Sequence, residues 1–172
     1  MSERSQQMLC KGLEMAEKAI EFYEESIKSC GDTLGKELFE ELKQDKVEHM
    51  NRIKDIHDKL VAGKTWIDAC LLPEEEDQDL HAQFAKMAEK YDQDSCPASD
   101  KAALERALHM EKGTLVFWEY TVNKAEDDVE RKFLQHMVRE VRGHNVKLAD
   151  AMYYYEDPEA WMRDLEKGNL DG

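Results

Sequence analysis

The chain has 172 residues, with 24 Lys and Arg against 39 Asp and Glu, a formal net charge of −15. Its length corresponds to one domain at about 150 residues per domain, and so acidic a surface repels phosphate backbones and anionic lipid, which excludes nucleic acid and membrane surfaces as partners. No apolar run approaches the ~18 residues a membrane span needs. The N-terminal Met-Ser-Glu-Arg-Ser-Gln-Gln has no apolar signal core, so the expected location is the cytoplasm.

With only 8 Gly and 3 Pro, the chain has few breakers, and its apolar residues recur at helical spacing. A first helix is predicted from about Ser5 to Cys30, carrying Met8, Leu13, Met15, Ala19, Ile20, Tyr23 and Ile27 on its apolar positions. Gly31-Asp32 interrupts it, and Asp32 is the expected N-cap of a second helix running to about Val61. Residues 62–98 differ in character. They hold Trp66, Pro73, the acidic run Glu74-Glu75-Glu76-Asp77, read as a solvated loop rather than a calcium site, and one short helix over Gln78–Tyr91. A third long helix is predicted from a cap at Ser99 or Asp100 to about Ala125. A fourth runs from Asp127 or Asp128 to about Tyr154, and Asp157-Pro158 starts a short terminal helix through Trp161.

Two short hairpin turns, at 30–32 and 125–128, make neighbours of helices one and two and of helices three and four. The segment between the hairpins is long enough to cross the bundle end to end. The expectation is a single all-α domain over 1–172: hairpin one over about 5–61, a crossover over 62–98, hairpin two over about 99–155 and a tail over 156–172. A four-helix bundle with one long crossover is the ferritin-like arrangement.

The two hairpins repeat one another without a gap at an offset of 95 residues. Leu13 matches Leu108, Met15 matches Met110, Phe22 matches Phe117, Glu24 matches Glu119, His49 matches His144 and Asp55 matches Asp150. Tyr23 falls on Trp118 and Ile53 on Leu148. A constant offset over so many positions implies two related hairpins about a pseudo-twofold axis, with His49 and His144 facing each other inside. A lone histidine on an apolar helix face is ordinarily a satisfied core residue; a symmetric pair is a candidate site. Cys10, Cys30, Cys70 and Cys96 contain no Cys-x-x-Cys and are expected to be reduced thiols, which removes zinc-ribbon and rubredoxin motifs.

The segments 107–118 (Ala-Leu-His-Met-Glu-Lys-Gly-Thr-Leu-Val-Phe-Trp) and 13–23 resemble the first helices of rubrerythrin-like, ferritin-like hairpins. Segments 38–53 and 133–148, each with a helical histidine, resemble the second helices, and the Tyr153–Trp161 stretch and the tail 166–172 resemble the end of such chains. The resemblance implies a dinuclear iron centre, with one glutamate from each first helix and a Glu-x-x-His from each second helix. Transferred residue by residue, the first-helix glutamates fall at Ala16 and Glu111, the second-helix glutamates at Lys46 and Val141, and the histidines at His49 and His144. Only Glu111, His49 and His144 keep a ligand residue type. Asp45 and Glu140, one residue before the lost glutamates, are implied to orient the histidine of the opposite hairpin; pairing with the histidine four residues on in the same helix is the local alternative. Glu14, Glu17 and Glu48 lie about 100° or more around their helices from the ligand positions.

Losing three carboxylates and gaining a lysine disfavours a dinuclear cation centre. The leading expectation is therefore no cofactor. A polar core would place Lys46 with Glu111 and pair both histidines with acids, in a non-catalytic interaction or scaffold protein. The alternative keeps one iron, zinc or manganese on His49, Glu111 and His144, as an oxidoreductase handling peroxide or iron with an electron donor on another protein. The sequence identifies no catalytic residue. The Tyr153–Tyr155 run reads mainly as core, with a homodimer surface as its second use.

Overall fold

The computed structural model describes residues 2–31, 33–72, 78–91 and 98–170. Among them the chain is all-α, with seven helices and no strand. None of these helices is long and apolar enough to cross a membrane.

Helix α1 (Glu3–Ser29) starts at Ser2, whose hydroxyl accepts from the Ser5 amide. Helix α2 (Leu34–Val61) is capped by Thr33, which accepts from the Lys36 amide; the Asp32 expected in that role lies outside the described residues. The crossover holds two helices. Short α3 (Trp66–Ala69) was not anticipated, and α4 (Leu80–Ala88), capped by Asp79, is narrower than the expected 78–91. The acidic run 74–77 and Cys96 also lie outside the described residues.

Helix α5 (Ala98–Val122) begins before both residues expected to cap it, so Ser99 and Asp100 sit in its first turn. The reason is tertiary: Asp100 is fully buried and accepts from the Thr33 hydroxyl at 2.7 Å, across the bundle end, instead of turning back to its own helix. Asp127 caps α6 (Asp128–Glu156) by accepting from the Val129 and Glu130 amides. Asp157 accepts from the Ala160 amide to start α7 (Pro158–Leu170), which continues past the expected end at Trp161.

Helices α1 and α2 pack as one hairpin and α5 and α6 as the other; α1 also touches α5. The crossover helices α3 and α4 lie against α2 and α6, and α7 lies against α6. The core divides into two apolar clusters. One gathers Leu38, Leu42, Phe84, Leu104, Tyr154 and Trp161; the other gathers Leu9, Ile53, Trp66, Trp118, Phe133 and Met137. Of the tyrosine run only Tyr154 is core. The Tyr155 hydroxyl accepts from the Gly35 amide at 2.9 Å, and Tyr153 is exposed and donates to Asp164.

The repeat also governs the bundle ends. Near the start of α6, buried Glu130 takes both oxygens to Arg4 at 2.7 and 2.8 Å and accepts from Ser5 at 2.9 Å. At the opposite end the acid has moved to the other member of the pair: Ser5 is matched by Asp100, and Glu130 by Gly35. Gly35 is the only residue small enough there, since a Cβ would lie 2.9 Å from the Asp100 carboxylate. Each end thus closes on one buried carboxylate, supplied by opposite partners.

Gly12 gives a direct test of packing. A Cβ there would sit 2.6 Å from the Trp118 ring, which is itself buried. In an open helix Gly→Ala stabilises by about 1 kcal/mol. Gly12→Ala is expected to destabilise instead, by about 1–3 kcal/mol of overpacking, measured as a fall in the urea midpoint at unchanged slope.

Candidate functional site

Between the two apolar clusters lies a layer of charge. Lys46 is 2% exposed and Glu111 0%, and their Nζ and Oε2 are 2.7 Å apart. The second Glu111 oxygen accepts from the Tyr23 hydroxyl at 2.8 Å. His49 and His144 are both buried, with rings stacked at 5.4 Å between centroids and 22° between planes. His49 Nε2 lies 2.8 Å from Glu140 Oε2, and His144 Nε2 lies 3.2 Å from Asp45 Oδ2. The histidine–acid pairs therefore cross between hairpins. Glu140 also makes a local contact within α6, to His136 at 3.3 Å.

The layer extends along the α2–α6 seam. Arg52 donates to Glu140 at 2.9 Å and lies 3.0 Å from His136 Nε2, while Lys147 pairs with Glu41. Residue numbers rise on α2 as their partners' numbers fall on α6, so the two helices run antiparallel across the seam. Each contact has a counterpart at the 95-residue offset: Glu41 matches His136, Asp45 matches Glu140, His49 matches His144 and Arg52 matches Lys147. The sequence reading missed Tyr23, Glu41, Arg52, His136 and Lys147. A signal was present for the last four, which are two matched pairs on the same helix faces as the histidines.

Symmetry breaks at the ligand positions of the resemblance. Ala16 and Val141 are buried and apolar, and Trp118, the match of Tyr23, covers Gly12 where Tyr23 reaches Glu111. One half of the layer is polar and the other hydrocarbon. Glu17 and Glu48 are exposed, as is Glu14, which bridges Lys11 and Lys18.

Burial alone would raise the pKa of Glu111, but the Lys46 ammonium and then His144 outweigh it and hold the carboxyl far below the usual range. Burial is likewise outweighed at Glu140 by His136, His49 and Arg52, and at Asp45 by His144, so both stay ionised. His49 is lowered, chiefly by burial. At His144, burial and Lys46 oppose the charged form, yet the hydrogen bond to Asp45 and the negative charge of Glu111 prevail and raise it. The stacked rings thus differ in their preferred charge. His144 Nδ1 is buried with no hydrogen-bond partner and stands 3.7 Å from Glu111 Oε2, beyond hydrogen-bond range.

A dinuclear centre does not fit these residues. Lys46 holds Glu111, Ala16 and Val141 offer no donor, and the Nε2 atom of each histidine faces a carboxylate of the other hairpin. Among the described residues no group of three or more His, Cys, Asp or Glu is arranged to hold a metal ion. Burial, and next to it Asp100 in the case of Cys30, pushes the Cys30 and Cys70 thiols up to about 11, so neither is a thiolate at neutral pH. Compared with models of known protein families, with curated proteins and with solved structures, the chain matches none.

Lys46→Met leaves a buried carboxylate without its cation and is expected to cost about 3–5 kcal/mol. Adding Glu111→Gln removes the charge but keeps an acceptor for Tyr23, and should recover most of that loss. Denaturant melts of the single and double variants check both halves of this cycle.

Acid stability follows from the same groups. Glu111 and Glu140 have folded-state values depressed below the ordinary 4.5, so their contribution is present above that pH and is lost as pH falls below it. Lowered His49 adds loss below 6.5, whereas raised His144 contributes below 6.5 and fades as pH climbs through its folded value. The two histidines oppose each other near neutrality, and the unfolding free energy should fall steeply only below pH 4.5. Glu140→Gln should make that acid limb shallower in a pH series of urea melts.

Proposed function

We propose that this chain is a rubrerythrin-like variant of the ferritin-like bundle in which an ion-paired core stands in place of the dinuclear metal centre. It works as a non-catalytic interaction or scaffold protein of the cytoplasm. The observation that carries this reading is the Lys46–Glu111 contact of 2.7 Å, fully enclosed between two apolar clusters. An ammonium there repels a dication by Coulomb's law and occupies the carboxylate that would otherwise hold it. The fold half of the proposal is supported by two hairpins repeating at a 95-residue offset and joined by a long crossover. The charged layer keeps the geometry of a site: rings aligned, acids orienting them, a tyrosine on the central carboxylate. In this reading those features now specify how the two hairpins dock. A polar layer matched pairwise along α2 and α6 penalises any other register, because a slip leaves several buried charges unpaired.

The test is metal analysis and thermal melting under nitrogen, with and without ferrous iron, on wild type and Lys46→Glu. Wild type should purify without stoichiometric metal and melt at the same temperature with or without iron. Lys46→Glu should be less stable alone, having placed like charges together, and should regain stability with iron, by about 2.7 kcal/mol at a hundredfold excess over Kd. A gain of several degrees by wild type with stoichiometric iron overturns the proposal in favour of one metal on His49, Glu111 and His144, served by an external electron donor.

A further inference from the structure

The outer face of α5 departs from its repeat mate on α1. Arg106, His109, Gly113, Val116, Tyr120 and Asn123 form one exposed stripe at alternating three- and four-residue spacing, the pattern of a helix seam. Val116 is 66% exposed and Tyr120 64%, and a Cβ on Gly113 would meet nothing within 4 Å. The repeat supplies an internal control. The matching stripe on α1 is Lys11, Glu14, Lys18, Glu21, Glu25 and Lys28, all exposed and laced by ion pairs of 2.9 and 2.6 Å at Glu14. One hairpin therefore shows what this face looks like when water covers it. In the other, five of those six charges have become a histidine, a glycine, a valine, a tyrosine and an asparagine, and only Arg106 keeps the charge of its match, Lys11. The short helices α3, α4 and α7 pack against α2 and α6 and leave the stripe open.

We propose that this stripe is a self-association surface, on which α5 of a second copy packs antiparallel about a twofold axis. Self-complementarity argues for a second copy: the stripe adds no acid to the long-range repulsion between two chains of −15, and its groups pair with one another about a twofold axis. Size and charge then agree on one register. Val116 placed over Gly113 of the second copy lets the axes approach closely, at about 8 Å. The same register sets Tyr120 against His109 and Glu105 against Lys124, and a twofold axis makes every such contact occur twice. Lys124 already lies over the Tyr120 ring, 5.4 Å from its centroid, beside the position Glu105 would take. The surface is independent of the metal content of the core, because no stripe residue belongs to the charged layer.

The experiment is sedimentation equilibrium across a dilution series, in chelator, with circular dichroism melts as the folding control. Wild type should dimerise. Val116→Glu and Tyr120→Glu, which install the residues found at the matching α1 positions, should each weaken the dimer about 100-fold while keeping the helical signal. Glu105→Lys should weaken it as well, and adding Lys124→Glu should restore it. A wild type that stays monomeric throughout overturns the proposal, as does a dimer indifferent to Val116→Glu and Tyr120→Glu. Failure of Lys124→Glu to restore the Glu105→Lys protein overturns the antiparallel register.

Discussion

A lysine and a glutamate sealed together in hydrocarbon dictate much of what surrounds them. Each ion alone would carry a desolvation cost of several kcal/mol, so Lys46 and Glu111 must meet, and every neighbour must tolerate the result. Tyr23 satisfies the second Glu111 oxygen, and His144 contributes positive charge from the other side. Lys46 in turn disfavours charge on both histidines, and at His144 it is outweighed by Asp45 across the seam together with Glu111 on α5. Four helices contribute to this cluster, so the bundle cannot open at one helix without stranding a charge. Apolar packing supplies the stability, and the polar layer restricts which packing is reached.

Repeat symmetry and its violations carry the chemical information. Along α2 and α6 the pairing across the seam keeps the symmetry, with acid, histidine and base recurring on both helices, although Lys46 falls on Val141. On α1 and α5 it is broken twice. Inside, Ala16 and Glu111 make one half of the layer apolar and the other ionic. Outside, a charged α1 stripe faces an α5 stripe with exposed Val116 and Tyr120. The bundle ends follow a third pattern, in which a carboxylate is retained at each end but moves from Glu130 to the Asp100 side of the pair. A duplicated hairpin can hold its shape while its two copies diverge, because each requirement belongs to a contact and can be met from either partner.

Helix content and the order of the four long helices were legible in the sequence, because helical periodicity and breakers are local properties of the chain. The alignment of His49 with His144 was legible too, since a gapless offset preserves helical phase. Asp100 looked like a helix cap because Thr33, which donates to it, lies 67 positions away. Tyr23 looked like core, and it is core, but its hydroxyl reaches a carboxylate on another helix. Helical phase shows that three consecutive tyrosines cannot all face one core, but which is the core ring, which accepts from Gly35 and which is the surface donor depends on where α2 and α7 approach α6.

By itself, then, the sequence determined the helices, their order and the residue types brought to the middle of the bundle, since these follow from spacing along one chain. Only the tertiary structure decided which acid faces which histidine. Asp45 and Glu140 sit four residues before a histidine in their own helices, a spacing that also permits a local pair. The antiparallel approach of α2 and α6 directs them across instead, at 3.2 and 2.8 Å. Pairing energy depends on distance through the folded interior, and that distance does not exist until two hairpins separated by 95 residues have docked.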